Sequence, residues 1–243
     1  MKKITNKIYQ TWYTNNINEI IKQKINTFLE INPGYEYNFY NDEDMDSFIG
    51  KNFSGDIIDC YNKLNIRAAK ADFWRYLILY KEGGIYIDID SIITKPLDSL
   101  ILNNDDAIIS VEDIYTKDGG KKNYCINWAM MFSKEHPILK KTIDFLINNV
   151  KNNIYPNNIY KTTGPAVLTR AINYIHLKTY NEIIDIENIN ETYDKSFYYN
   201  GYSYRIFGFK YNGIVIHKFD DYHLLYENTT HWTILQNKIN LIT

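Results

Sequence analysis

Three observations predict a mixed α/β domain with a central, mostly parallel sheet and flanking helices. The chain opens with a strand–helix–strand pattern. It carries one long helix that stops at Gly83-Gly84. That glycine pair leads straight into the alternating run Ile85-Tyr86-Ile87-Asp88-Ile89-Asp90. A strand, a helix and a second strand in succession favour a parallel, nucleotide-binding type of sheet, because parallel neighbours need a crossover. The 243 residues are 45% hydrophobic and 16% aromatic, enough for one sizeable core. No repeat, linker or charge block divides them, so a single domain over residues 1–243 is expected.

The first strand is expected over 3–12, anchored by Ile4, Ile8 and Trp12. Residues 16–31 place Ile17, Ile20, Ile21, Ile25, Phe28 and Leu29 at a helical period, and Asn32-Pro33-Gly34 stops them. The aromatic run 35–40 reads as a second strand, and Asn41-Asp42-Glu43-Asp44 starts a helix with acids at its positive dipole end. Residues 65–82 form the strongest helical pattern, with Asn65 as N-cap, Gly83 at its end and Ile66, Ala69, Phe73, Leu77 and Tyr80 as the buried stripe. Short strands are expected over 91–94, 107–112 and 124–132, with a polar Gly119-Gly120 loop between the last two. Helices follow from His136-Pro137 to about 149 and from Thr162-Thr163-Gly164-Pro165 onward. The pattern ends with short strands over 183–186, 204–209 and 214–217, the last ones antiparallel.

Two features carry chemistry. If 85–90 is extended, Asp88 and Asp90 share a face with their Cα atoms roughly 6–7 Å apart. Carboxylates that close repel unless a cation or proton lies between them, and a divalent metal bridging to a phosphate answers that repulsion. A solvated strand end with two surface acids is the bland alternative. On the preceding helix Asp72, Arg75 and Tyr76 fall at i, i+3 and i+4, with small Ala68 and Ala71 nearby. They read either as a ligand-binding face or as an ordinary helical ion pair worth a few tenths of a kcal/mol.

Composition excludes several classes. A net charge of −2 leaves no basic footprint for nucleic acid. No stretch approaches eighteen apolar residues, so no transmembrane segment is expected. Cys60 and Cys125 match no metal-ligand spacing and read as reduced thiols or a single disulfide. With no signal-peptide run after Met1, the chain is expected to be cytoplasmic or the excised domain of something larger, and the sequons at Asn52, Asn190 and Asn228 mean little without a secretory route.

With these pieces in place the sequence resembles glycosyltransferase family 32, named for its DXD sugar-binding motif, and the related catalytic domains of large glucosylating cytotoxins. The resemblance rests on Ile8-Tyr9-Gln10-Thr11-Trp12, Asn32-Pro33-Gly34-Tyr35-Glu36-Tyr37, Ala71-Asp72-Phe73-Trp74-Arg75-Tyr76, Gly83 to Asp90, Thr163-Gly164-Pro165 and a terminal Trp232. It implies the GT-A nucleotide-sugar fold. It further implies that Trp12 stacks on the donor base, Asp72 and Arg75 hold the donor sugar, and Arg75 also meets the diphosphate. Tyr86 and Asp88 would contact the ribose and the metal shell, and Asp90 would bind Mn²⁺ or Mg²⁺ directly. Asn127 matches an amide set against the donor sugar or the acceptor. Glu227-Asn228-Thr229-Thr230-His231-Trp232 is similar to the cytotoxins' Glu-x-x-Ser-x-Trp. That makes Glu227 and Thr230 metal ligands and brings the Trp232 indole to the leaving diphosphate. Ala71 stands where the family usually has Ser, and His217, Glu227 or neither completes the metal shell.

The implied activity is transfer of a hexose from a nucleotide sugar, a UDP-hexose or GDP-mannose, to a glycan or protein acceptor. Retention by front-face attack is expected, since no second carboxylate is evident for a covalent glycosyl-enzyme. Residues 226–235 are expected to be a mobile lid ordered by donor and metal. Two rivals remain at this point: a sugar-nucleotide-binding module without catalysis, and an Asp-x-Asp phosphatase with Asp88 as nucleophile and Asp220-Asp221 as its downstream acids. Packing in the core is the plainer role for Trp12 and Trp232.

Overall fold

The structure is a computed structural model that describes residues 3–115, 121–227 and 229–243. Its frame is a seven-stranded sheet. Strand β1 (Lys7–Thr11) lies between β2 (Glu36–Tyr40) and β3 (Gly84–Ile87), parallel to both. The sheet continues from β3 through β8 (Ala129–Phe132), β5 (Ala107–Ile109) and β10 (Tyr202–Phe207) to β9 (Asp194–Tyr199). Only β8 and β9 run against the rest, so five of the seven strands share a direction. Two antiparallel ladders stand outside this frame. One pairs β4 (Ser91–Ile93) with β11 (Val215–His217), the other β6 (Val111–Tyr115) with β7 (Lys121–Cys125).

Side-chain alternation divides the core between the two faces of the sheet. Ile8, Ile85, Ile87 and Met131 join one apolar cluster with Ile21, Ile25 and Phe28 of α1 (Glu19–Glu30). Their sequence neighbours Tyr9, Tyr86 and Met130 join the other. That second layer contains α4 (Arg67–Glu82), α5 (Pro137–Lys151) and α7 (Pro165–Tyr180). The shorter α2 (Asp42–Asn52), α3 (Asp56–Lys63), α6 (Ile159–Thr162) and α8 (Trp232–Leu235) fill its margins. Helix α2 begins with a reciprocal capping box between Asn41 and Asp44 at the point where acids were expected to gather.

Several expectations change. Asn65 does not cap α4; its side chain and backbone N–H reach the carbonyls of Asn240 and Leu241, and Ile66 takes the cap position. The helix buries much more than one stripe, because Asp72, Trp74, Arg75, Tyr76, Ile78 and Leu79 are buried as well. The segment 107–112 is two strands in different sheets. Ser110 breaks it by donating to the Gly208 carbonyl and accepting from the Tyr211 N–H, so β6 leaves the main sheet. The segment 124–132 likewise divides into β7 and β8 with Asn127 at the break. Residues 183–186 form no strand, and β9, α3 and α6 had not been anticipated. The Gly119-Gly120 loop and the Asn228 sequon lie outside the described residues. Cys60 and Cys125 are both free and buried.

Gly83 and Gly84 are required by the passage from α4 to β3. Gly83 has φ +68° and Gly84 φ +113°, and a Cβ on either would come within 2.8 Å of Lys134 N or 2.7 Å of Lys7 O. The chain can therefore turn tightly and lay β3 beside β1 only without side chains at both positions.

His136 caps α5 while almost fully buried. Its Nδ1 accepts from Ile138 N–H at 3.2 Å, and Nε2 donates to the Ser203 carbonyl at 3.0 Å. Burial lowers its pKa to about 4, against weaker upward pulls from the Ser203 bond and Asp106. In the unfolded chain the ring takes a proton near pH 6.5, so stability is full above that value and is lost as pH falls toward 4. This group alone should remove about 2 kcal/mol between pH 7 and pH 5. Urea unfolding at both pH values should show the loss, and His136→Asn should flatten the pH slope by that amount; equal slopes in both proteins would refute it.

Candidate active site

The carboxyl ends of β1 and β3 face a cavity of about 840 Å³. That is where an open α/β sheet leaves a crevice, since successive connections depart to opposite faces. Thr11, Trp12 and Tyr13 line it from the end of β1, Ala68, Ala71, Asp72 and Arg75 from α4, and Asp88 to Asp90 from the end of β3.

Asp88 and Asp90 converge through a turn and not along a strand face. Strand β3 ends at Ile87; Asp88 N–H then donates to Trp128 O at 2.7 Å, and Ser91 N–H returns to Asp88 O at 2.9 Å. The β4–β11 ladder sets His217 opposite Ser91 and so brings its imidazole to Asp90, with Nε2 at 3.4 Å from Oδ1. The ring is stacked on Trp128 at 4.6 Å. Asp88, Asp90 and His217 each offer a ligand atom, and these atoms lie within 4.8 Å of one another. The Tyr226 hydroxyl donates to Asp90 Oδ2 at 3.1 Å, while Oδ1 is buried with no hydrogen bond. An orphaned carboxylate oxygen facing a second carboxylate and an imidazole is a donor set that could hold a divalent cation.

Arg75 holds the neighbouring half of the site. It is buried, donates to the Asn127 carbonyl at 2.9 Å, and lies 3.1 Å from Asp88 and 3.5 Å from Asp72. Its guanidinium sits 4.5 Å from the centre of the Tyr86 ring, whose hydroxyl donates to Asp88 at 2.6 Å. Asp72 accepts from Thr163 Oγ1 at 2.9 Å and from Asn127 Nδ2 at 3.0 Å. Burial pushes the Asp72 carboxyl up to about 6, with Arg75, Thr163 and Asn127 opposing. Burial also raises Asp88, reinforced by Asp90 and opposed by Arg75. For Asp90 burial is outweighed by His217, the Tyr226 hydroxyl and Lys218, which hold it below the usual carboxylate range.

The residues named from sequence distribute unevenly over this cavity. Trp12, Asp72, Arg75, Tyr86, Asp88, Asp90, Asn127, Thr230 and Trp232 all line it. Glu227 is exposed and outside the lining, and His217 is the group that meets the two aspartates. Tyr86 is fully buried, its hydroxyl donating to Asp88 and its ring lying against the Arg75 guanidinium. Trp232 is half-buried and packs on the core while lining the cavity. Asp220 and Asp221 are exposed and away from it. Sequence reasoning passed over Tyr226, Trp128, Glu112, Asp113 and Tyr160, which also line it. None of these falls in a spaced motif, and only Thr163, in Thr-Gly-Pro, carried a readable signal.

The Arg75 network generates a prediction. Arg75→Met leaves Asp72 and Asp88 facing each other in a buried site, which should cost about 3–5 kcal/mol of stability. Adding Asp72→Asn should recover part of it. Urea melts of the three proteins measure this, and a loss under about 1 kcal/mol would mean that water replaces the guanidinium.

Comparison with known proteins places this geometry. Residues 18–108 match the model of the glycosyltransferase sugar-binding region containing the DXD motif. Inositol phosphoceramide mannosyltransferase 3 of Schizosaccharomyces pombe is 32% identical over 163 residues, which cover 67% of this chain and 43% of that protein. An uncharacterized glycosyltransferase of Acanthamoeba polyphaga mimivirus is 30% identical over 176 residues, 70% of this chain and 64% of its own length. The chain thus spans less than two thirds of either relative. The solved PaToxG glycosyltransferase superposes with a TM-score of 0.54 at 25% identity, covering 73% of this chain and 70% of that one. Its likeness agrees with the GT-A architecture of the mixed sheet. The chain belongs to the family of glycosyltransferases whose sugar-binding region carries a DXD motif, here Asp88-Ile89-Asp90.

Proposed function

We propose that this chain is a metal-dependent glycosyltransferase that moves a hexose from a nucleotide-sugar donor to a hydroxyl of a glycan or protein acceptor, with retention at the anomeric carbon. The observation that carries the reading is the meeting of Asp88, Asp90 and His217 beside buried Arg75 in one cavity at the strand ends. The name of the yeast relative favours mannose as the hexose, and a UDP-hexose or GDP-mannose is the proposed donor.

Asp88, Asp90 and His217 would hold Mn²⁺ or Mg²⁺, which when bound neutralises charge on the diphosphate leaving group. Trp12 offers an aromatic face at the end of β1 for the donor base. Asp72 and Asn127, already oriented by Thr163, Tyr76 and each other, are set to take donor sugar hydroxyls. Arg75 supplies fixed positive charge at the end of β3, and the Trp232 indole lines the same cavity from above. In front-face attack the acceptor oxygen bonds to C1 as the bond from C1 to the phosphate oxygen breaks. The electron pair leaves with the diphosphate, and the acceptor proton passes to a diphosphate oxygen. The phosphatase alternative lacks its downstream acids, since Asp220 and Asp221 face solvent. A cytoplasmic site of action is part of the proposal, and two buried free thiols suit a reducing compartment. Among the described residues no helix is long and apolar enough to cross a membrane.

Release of nucleoside diphosphate from a panel of UDP-hexoses and GDP-mannose should require Mn²⁺ or Mg²⁺. Full turnover in excess EDTA would sink the metal-dependent reading.

The lid proposal concerns 226–235. Tyr226 ties this segment to Asp90 and packs edge-on against Trp12 at 5.4 Å, while Glu227, Thr230, Thr233 and Ile234 are exposed. Donor and metal would add contacts at Trp232 and Thr230, so amide exchange over 226–235 should slow when both are present. Equal exchange with and without donor plus Mn²⁺ would make the segment a fixed element.

A further inference from the structure

One side of the same cavity, close to His217 and Asp88, forms a lobe that the roles above leave unused. Its wall is β6, where Glu112 faces the cavity, and Tyr160 of α6 lines the other side. Glu112 stands opposite Tyr124 in the β6–β7 ladder, and the Tyr124 ring meets Tyr160 edge-on at 4.9 Å. Three polar groups share this lobe. Trp128 is 3% exposed, and its indole N–H is directed at Glu112. The Tyr160 hydroxyl is buried, without a partner, and also feels Glu112. Glu112 itself has no cation within ion-pair distance among the described residues. By contrast Asp42 is paired with Arg67, Asp72 and Asp88 with Arg75, and Asp90 with His217 and Tyr226.

Buried N–H and O–H groups left open cost free energy unless a ligand or water completes them. A sugar or polyol hydroxyl matches this lobe because it donates to a carboxylate and accepts from an indole or phenol at once. An anionic group would meet the Glu112 carboxylate at close range. We propose that this lobe is the acceptor subsite, that Glu112 holds an acceptor hydroxyl next to the attacking one, and that the acceptor presents a neutral, hydroxyl-rich surface to it. The inference rests on the glycosyltransferase reading. The transfer step balances as written above: the attacking hydroxyl gives its one proton to the diphosphate oxygen, while Glu112 accepts a hydrogen bond from a neighbouring hydroxyl of the acceptor and takes no proton.

The test compares wild type with Glu112→Gln and Tyr160→Phe, each checked by thermal melting. Binding of UDP and GDP is measured with Mn²⁺. Release of nucleoside diphosphate from the donor that wild type uses is measured alone, with methyl α-mannopyranoside or methyl α-glucopyranoside, and with mannose 6-phosphate. A neutral glycoside should raise the wild-type rate more than the sugar phosphate does. Glu112→Gln should bind nucleotide within twofold of wild type yet lose the glycoside-stimulated rate tenfold or more. Tyr160→Phe should raise the KM for the glycoside several-fold, and it carries the comparison if Glu112→Gln does not fold. A fivefold loss of nucleotide affinity in Glu112→Gln would move Glu112 to the donor side, and an unchanged stimulated rate would remove it from the site. No stimulation by either glycoside, or stronger stimulation by the sugar phosphate, would overturn the neutral acceptor. A wild type that neither binds nucleotide with Mn²⁺ nor releases it would refute the glycosyltransferase reading itself, and this inference would fall with it.

Discussion

A buried guanidinium ties together the segments that make the site. Arg75 reaches from α4 to Asp88 at the end of β3 and to the Asn127 carbonyl at the β7–β8 break, with the Tyr86 ring beneath it. Its planar fork can serve these partners together, which a lysine ammonium could not do with the same geometry. Two carboxylates, Asp72 and Asp88, are drawn into a low-dielectric region only because this cation is there. The position of Asp88 then sets where Asp90 and the following β4 begin. A packing interaction and a binding site are thus one construction.

The remaining functional groups come from the small ladders outside the main sheet. The β4–β11 ladder delivers His217 to Asp90, and the β6–β7 ladder presents Glu112 to the same cavity. The seven-stranded sheet supplies rigidity, buried on both faces by the two apolar layers. The groups that line the cavity sit at its strand ends and on its attachments, where backbone direction can vary without disturbing the ladder. Ser110 shows how this is done: its hydroxyl replaces ladder partners at the point where the chain leaves β5 for β6.

Tyr226 links the C-terminal segment to the Asp88, Asp90 and His217 group. Its hydroxyl occupies Asp90 Oδ2, which leaves Oδ1 turned toward His217, and its ring rests edge-on against Trp12. One residue therefore touches the proposed base platform and orients a proposed metal ligand. The roof of the cavity is coupled to both ends of the donor it would cover.

The sequence by itself determined the α/β class, the parallel opening, the α4 helix and its Gly-Gly exit, and the Asp72, Arg75, Asp88 and Asp90 set. These signals are local: periodicity, breakers and short spacings are visible within one or two turns of chain. The same reasoning merged β5 with β6 and β7 with β8, because an apolar run does not reveal where a strand changes sheets. It also left His217 and Glu227 as alternatives for the metal shell. Only the tertiary structure decided what surrounds the aspartates. His217, Tyr226, Trp128 and Glu112 reach them or their neighbouring lobe across long separations in sequence, through antiparallel register and buried packing. A one-residue slip of the β4–β11 or the β6–β7 ladder would turn His217 or Glu112 to the opposite face, and Tyr226 and Trp128 are placed by packing between elements.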